Sequence, residues 1–284
     1  MNSNDGRTKY AALIDFHVHF FPDKIAGKAL SALVVNALPQ ALAENLNMTP
    51  ATDGTATDTL RRMDDWGVTK AVTLSIATNE RQTANVNNFA AEFLKDERII
   101  PFASVFPGAE NAQAALESIK AAGFKGIKLH PEYQGFDVAD EQKAFPIYEF
   151  LEKNGLILSL HAGHDIGFPS SYLSPPEGIR RVADTFSRLK IVAAHLGGWR
   201  SWEEVLKYLV GADVYLDTSC TAGFIDEDTA GKIITRHGAE KILFGTDCPW
   251  SSAPATVALL EKLKLPRSDM ELIYHKNAER LLKL

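Results

Sequence analysis

Cysteine is scarce in this chain: Cys220 and Cys248 are the only two in 284 residues. That is too few for a disulfide framework and agrees with a reducing compartment. Long apolar runs are also missing, since none approaches the ~20 residues of a membrane span. The stretch from Met1 to Tyr10 is polar, with no apolar signal core after its positive charges. Nor is there a surplus of positive charge. The formal net charge is -6, so electrostatics give no reason to expect nucleic acid or an anionic membrane as partner. No internal repeat, low-complexity tract or linker divides the chain, and residues 1–284 read as one domain. The expectation is a cytoplasmic protein acting on a small molecule.

What is present is a regular alternation of short apolar runs with amphipathic stretches. Strand candidates are Leu13 to Phe20, Lys70 to Ala77, Ile99 to Phe106, Gly126 to His130, Leu156 to His161, Lys190 to His195, Val214 to Thr218 and Lys241 to Asp247. Helical patterns fall between them, as at 109–122, 144–154, 176–187, 202–210 and 226–236, several stopped by glycine. Eight strands each bounded by helices predict an α/β fold, a (β/α)8 TIM barrel. An open doubly wound sheet fits less well, because no Gly-rich phosphate loop follows the first strand. Lys24 to Asn47, with broken helical spacing interrupted by Pro39, predicts a short helical insertion of one or two helices after strand 1. A polar loop over 48–55 and a short amphipathic helix over 58–66 follow, and 252–284 reads as closing helices.

A barrel places its chemistry at the C-terminal ends of its strands. Here those ends carry His17 and His19, His130, His161, His195 and Asp247. Five of the eight histidines are at strand ends, and His164 makes six if the adjoining loop is included; His237 and His275 read as ordinary surface residues. On a regular strand, Asp15, His17 and His19 share one face while Ile14, Phe16 and Val18 share the other. Two imidazoles projecting together from a buried strand need a partner, and a metal ion suits them. A pair of hydrogen-bonded core histidines is the alternative reading of His-x-His alone. The recurrence of His or Asp at five strand ends favours a site.

The motifs Ile14-Asp15-x-His17-x-His19, Leu160-His161-Ala162-Gly163, Ala194-His195-Leu196-Gly197-Gly198 and Gly245-Thr246-Asp247-x-Pro249-Trp250 together resemble the amidohydrolase superfamily of metal-dependent barrels. Within it they are most similar to the branch containing aminocarboxymuconate-semialdehyde decarboxylase. The resemblance runs from about Leu13 to the C-terminus. It implies that His17, His19, His161 and Asp247 bind one divalent metal, zinc first, with manganese or iron as alternatives. It further implies Asp247 as the base that takes a proton from water, and His195 as an acid/base or hydrogen-bonding group. The implied activity is hydrolysis of an amide, ester or lactone of a small metabolite. The alternative is nonoxidative decarboxylation (a carboxy-lyase) or hydration of a small unsaturated or aromatic carboxylic acid.

Lys128 shares a strand face with His130 and admits three roles: a carboxylated bridge between two metals, a cation for a substrate carboxylate, or a lysine reaching solvent. The substrate-side cation is preferred. His130, Trp199 and Trp250 are further candidates for substrate contact, with Tyr133 and Phe136 at the rim. Asp15 is a candidate to orient one histidine. Cys220 and Cys248 read as reduced thiols near the mouth. A homodimer is expected from the frequency with which such barrels pair.

Overall fold

The computed structural model describes residues 11–284. Eight parallel strands follow one another in sequence order: β1 (Ile14–Val18), β2 (Lys70–Leu74), β3 (Ile99–Phe102), β4 (Gly126–Leu129), β5 (Ile157–Leu160), β6 (Lys190–Ala193), β7 (Tyr215–Asp217) and β8 (Ile242–Leu243). Regular ladders join β1-β2-β3 and β4-β5-β6-β7-β8. Backbone bonds cross both remaining seams. Ala103 bridges to Ile127, with Lys128 N–H donating to Ala103 O at 2.8 Å. On the other side Phe16 N–H donates to Phe244 O and Asp247 N–H to His17 O, both at 2.8 Å. The ring of strands is thereby continuous, a TIM barrel, and helices cover its outside.

Local chemistry explains why the intervening segments are helical. The helix Ala56–Trp66 starts at Thr55, whose hydroxyl accepts from Asp58 N–H, and stops at Gly67 with φ 71°. Capping of the first turn and a left-handed glycine at the end are the signals that the sequence pattern carries there. The insertion after β1 is one continuous helix, α1 (Asp23–Ala43), which runs through Pro39. Proline removes one intrahelical bond near the end, and the helix tolerates this loss. With 21 residues and charges only near its start, α1 is long and apolar enough by length and composition to cross a membrane, which the expectation of no such run overlooked. Its buried residues are Ala26, Leu30, Ala37 and Ala41.

Inside the barrel, two layers differ in character. Towards the strand N-termini, Ile14, Phe16, Val72, Leu74, Ile100, Phe102, Ile157, Val192 and Leu243 form one apolar cluster, closed from below by Ala278, Leu281 and Leu282 of the last helix. Leu13 and Val18 belong instead to the larger cluster between strands and helices. The register of β1 against β2 shifts between Asp15 and Val18, so the strict alternation expected along β1 fails. Ile14 and Phe16 point into the barrel at its base, and the bulge then turns His17 inward one layer higher. Asp15 therefore does not share a face with the histidines. Its carboxylate accepts from Thr246 Oγ1 at 2.6 Å, Thr246 N at 3.0 Å and His17 N at 3.1 Å, tying β1 to the segment after β8.

Candidate metal centre

Two strand ends, those of β1 and β8, bring three acceptors to one point. His17 Nε2 lies 3.1 Å from His19 Nε2 and 3.3 Å from Asp247 Oδ1, and His19 Nε2 lies 3.2 Å from the same oxygen. The second nitrogen of each ring decides the protonation. His17 Nδ1 faces Asp217 Oδ2 at 2.9 Å, and His19 Nδ1 faces the Leu74 carbonyl at 2.7 Å. Both partners only accept, so each Nδ1 carries the proton and each Nε2 presents a lone pair. Two lone pairs and a carboxylate oxygen thus confront one another with no proton between them. Such a trio repels itself unless a cation sits among its members. Donors about 2.1 Å from a single ion in tetrahedral geometry are separated by roughly 3.4 Å, and the three observed separations match that demand.

The electrostatics reinforce this geometry. Burial and then the nearby Lys128 charge hold His17 well below the usual imidazole range, so it stays neutral, as a ligand must. Burial works to raise the Asp247 carboxyl, but the adjoining His17 and His19 rings outweigh it and hold the group below its ordinary value. Asp247 is in the left-handed region at φ 68°, as are His195 at φ 60° and Cys220 at φ 50°. Three non-glycine residues strained in this way at the ends of β6, β7 and β8 mark a place where packing over-determines side-chain position.

Asp217, at the end of β7, is the residue that sequence reasoning missed. It is fully buried, fixes His17 through Nδ1, and accepts the His195 N–H at 3.1 Å and the Ser219 N–H at 3.0 Å. The rule that selected the other strand ends would have found it, since it closes a short apolar strand like they do. A carboxylate behind a ligating histidine orients the ring and raises its basicity.

Lys128 is 1% exposed, and its Nζ lies 3.3 Å from His17 Nε2. Burial lowers its pKa to about 8, against the opposing pull of Asp217 and Asp247. It stands against the acceptor trio itself. Burial removes the solvent-reaching role.

The remaining histidines form a second group beside the first. His195 Nδ1 faces Ser219 O at 2.9 Å, which leaves Nε2 as its basic nitrogen, 3.1 Å from His161 Nδ1. His161 Nε2 in turn faces the His164 carbonyl at 3.1 Å. A neutral ring has one proton and cannot serve both contacts, so one of them is mismatched. The structure thus does not bring His161 into the trio with which the sequence grouped it: the ring lies beyond His195 and stacks on His130 at 4.1 Å between centroids. His130, His161 and Asp165 are close enough to form a separate set of potential ligands, and His130 Nε2 is 3.3 Å from Asp165 Oδ2. Glu132, also unnoticed in the sequence, is buried below them, 3.7 Å from His130 Nδ1, and burial raises its pKa to about 7.

The rim residues are spread around this centre. Trp199 is buried, its backbone N–H donating to Ala162 O at 2.8 Å, with the Arg200 guanidinium carbon 4.2 Å from its ring centre. That approach needs Gly163, at φ 89°, because a Cβ there would run into the Trp199 backbone. Trp250 is half-buried and tied to the site by its backbone N–H on Asp247 O at 2.7 Å. Tyr133 packs edge-on against both His130 and Phe168, while Phe136 is buried in the outer core. Cys220 lies beside Asp247, and burial raises its thiol well above the usual range. Cys248 is buried against Thr52. His237 and His275 are not surface residues: both are buried, His237 between Gly211 N and Val214 O, and His275 against Glu279.

The family model for amidohydrolases matches residues 14–284. The chain belongs to the amidohydrolase family. No curated protein matches it by sequence, whereas solved structures do match in fold. The 5-carboxyvanillate decarboxylase of Sphingomonas paucimobilis is 17% identical, with 96% of this chain and 99% of that one covered and a TM-score of 0.71. A dihydroxybenzoic acid decarboxylase from Polaromonas, determined with bound manganese and 2-nitroresorcinol, is 18% identical over 96% and 97%, with a TM-score of 0.67. A candidate 2-pyrone-4,6-dicarboxylic acid hydrolase from Pseudomonas putida is 17% identical over 96% and 97%, with a TM-score of 0.65. At these identities the likeness is one of fold.

Proposed function

We propose that this amidohydrolase-family chain is a metal-dependent hydrolase of a small metabolite, cleaving an amide, ester or lactone bond. The observation that carries this reading is the confrontation of the His17, His19 and Asp247 acceptors at 3.1–3.3 Å. The donor set of two imidazoles and a carboxylate suits zinc, and manganese and iron are compatible with it. His161 is the proposed fourth ligand. A divalent metal held there supplies Lewis acidity and acidifies water near neutral pH. Asp247, kept ionised, accepts the proton of the attacking water. His195, with its Nδ1 proton fixed on Ser219 O, offers Nε2 to take or return a proton at the substrate. Asp217 holds the His17 ring in the ligating tautomer. Trp199 and Trp250 wall the mouth, and His130 with Tyr133 offers a flat ring surface to the substrate.

The same residues serve a second reaction, nonoxidative decarboxylation of a small aromatic or unsaturated acid. The fold likeness to two aromatic-acid decarboxylases favours it, and in it His195 Nε2 would first take a proton from water and then return it to the carbon that loses carbon dioxide. Metal analysis of the purified protein alongside a His17→Ala/His19→Ala variant tests the shared centre. About one divalent metal per chain, lost in the variant together with activity, is expected; metal retained in the variant overturns the ligand assignment. Screening lactones, amides and aromatic acids for acid release and carbon dioxide release then separates the two reactions.

A further inference from the structure

The metal centre is shut away from solvent. His17, Lys128, His130, His161 and His195 are all buried, and the most open side chains of the acceptor trio, His19 and Asp247, are only 15% and 11% exposed. A substrate that reacts there must enter, so part of the enclosure moves. The segment that crosses the mouth is the insertion after β1. Its helix α1 is rooted beside β1, and Asn36, about 20 Å along the axis from Asp23, donates to Gly167 O at 3.1 Å. Gly167 is in the loop after β5, the strand diametrically opposite β1 in a ring of eight. A helix that starts at β1 and touches that loop spans the opening.

The two halves of α1 are held in different ways. At the root, Phe21 N–H donates to Gly54 O at 2.9 Å, and the Asp23 carboxylate accepts from Ala56 N–H at 3.1 Å and the Thr57 hydroxyl at 2.8 Å. Leu30 is buried there beside Gly54. Beyond Leu30 the only buried residues of α1 are Ala37 and Ala41, whose methyl groups offer little apolar area. The outer half is therefore held by polar contacts. Asn36 bonds Gly167 O and the Tyr133 hydroxyl, and a Cβ at Gly167 would stand 2.5 Å from the Asn36 amide nitrogen. Glu44, just past the end of α1, pairs with Arg200 of the loop after β6, and with both side chains more than a quarter exposed, water screens the attraction. The return loop is fastened separately, by Ala51 N–H on Pro249 O at 2.7 Å and by Thr52 against Cys248.

We propose that α1 is the lid of this site: it swings on its root at residues 23–30, and Asn36 on Gly167 O, with Glu44 on Arg200, is the latch that holds it closed. Opening breaks two partly exposed polar contacts and uncovers two alanines, while the root and the return loop keep theirs. Closing shuts water away from the acceptors of β1 and β8. The inference goes beyond the proposed reaction and applies to hydrolysis and decarboxylation alike.

The two native thiols report on the motion. Cys220 lies by Asp247 and Arg200, at the centre that the lid covers, whereas Cys248 is buried against the anchored Thr52. Labelling with a bulky maleimide, located by mass spectrometry, therefore reads opening at Cys220 and unfolding at Cys248. Asn36→Ala is expected to label Cys220 about fivefold faster than the wild type, the worth of one hydrogen bond, and Glu44→Gln roughly twofold faster, with Cys248 unlabelled in both. A disulfide made by Asn36→Cys/Gly167→Cys is expected to slow Cys220 labelling roughly tenfold, and reduction to restore it. Equal Cys220 rates in the wild type, Asn36→Ala and the cross-linked protein overturn the inference. Labelling of Cys220 and Cys248 together overturns it as well, because unfolding then opens the site. If the double variant fails to fold, Asn36→Ala decides alone. The thiol readout needs no metal, so protein that takes up none at His17 and His19 sinks the proposed function and leaves this test standing.

Discussion

The lower and upper halves of the barrel interior are built on the same strands and do opposite work. Below, Phe16 and Phe102 meet edge to face at 5.9 Å within a cluster that contains no polar group. Above, further along the strands and just past their ends, Lys128, His17, Asp217 and Asp247 are almost as deeply buried, yet every one is polar. Burying apolar area stabilises a fold, while burying titratable groups costs stability unless each finds a partner. In the lower layer the side chains are interchangeable in kind. The upper layer is a set of acceptors with protons assigned by position, with the Lys128 ammonium 3.3 Å from His17 Nε2 among them. The bulge in β1 is the junction, where one strand passes from Phe16 in the first layer to His17 in the second.

Substitutions that separate the layers should separate stability from activity. Asp247→Asn keeps the shape of the upper layer and removes the base, so turnover should fall by roughly 10²- to 10⁴-fold with the melting temperature nearly unchanged; activity that survived would exclude Asp247 as the proton acceptor. Phe102→Ala in the lower layer should do the reverse. A cost of about 3–5 kcal/mol is expected for a fully buried Phe, measurable by denaturant unfolding, while the protein that remains folded binds metal with unaltered affinity. Reduced metal affinity in that variant would mean the two layers are mechanically coupled. Asp217→Asn sits between these extremes. It leaves the ligands in place but weakens the hold on His17 Nδ1, and metal affinity by competition with a chelator should drop about 10–100-fold. An unchanged affinity would reduce Asp217 to a structural acceptor for the His195 and Ser219 N–H groups.

The sequence shows the fold and much of the site for different reasons. Parallel strands separated by helices leave a periodic trace, and the helix from Ala56 to Trp66 is bounded by a cap and a glycine that any reading would find. The site was legible where a polar residue interrupts a buried strand end, as His17, His195 and Asp247 do. What stayed hidden depends on events no period encodes. A bulge moved Asp15 off the histidine face, and nothing in the alternation Ile14-Asp15-Phe16-His17 announces it. Pro39 reads as a break, yet one lost hydrogen bond near a helix end is not enough to make one. Asp217 was overlooked because aspartate after a short strand resembles a turn. Glu132 lies in the one-turn helix Pro131–Gln134 and Arg200 in a loop, short connections whose course is set by tertiary contacts such as the approach of Trp199 to Gly163. His237 and His275 looked like surface because helices carry histidine there often, and only the packed structure shows them enclosed.

The smallest effect sets buried histidine against buried carboxyl. His237 closes the helix Glu227–His237, accepting from Gly211 N–H at 3.2 Å and donating to Val214 O at 2.9 Å, and burial lowers its pKa. The unfolded chain then binds a proton that the folded chain refuses, so the His237 contribution is complete above about pH 6.5 and is lost as pH falls below it. Asp15 and Glu132 act with the opposite sign. Burial raises each to about 7, so the folded state holds protons there that the unfolded state gives up, and acidification from pH 7 towards 4 favours folding through them. The net slope of stability against pH is a difference between these groups, which makes the wild-type curve alone uninformative. The informative quantity is the slope lost in His237→Gln. Melting temperatures of metal-free protein between pH 5.5 and 7.5 should rise with pH less steeply in that variant than in the wild type, and parallel curves would show that His237 accepts a proton in place without disturbing its two hydrogen bonds.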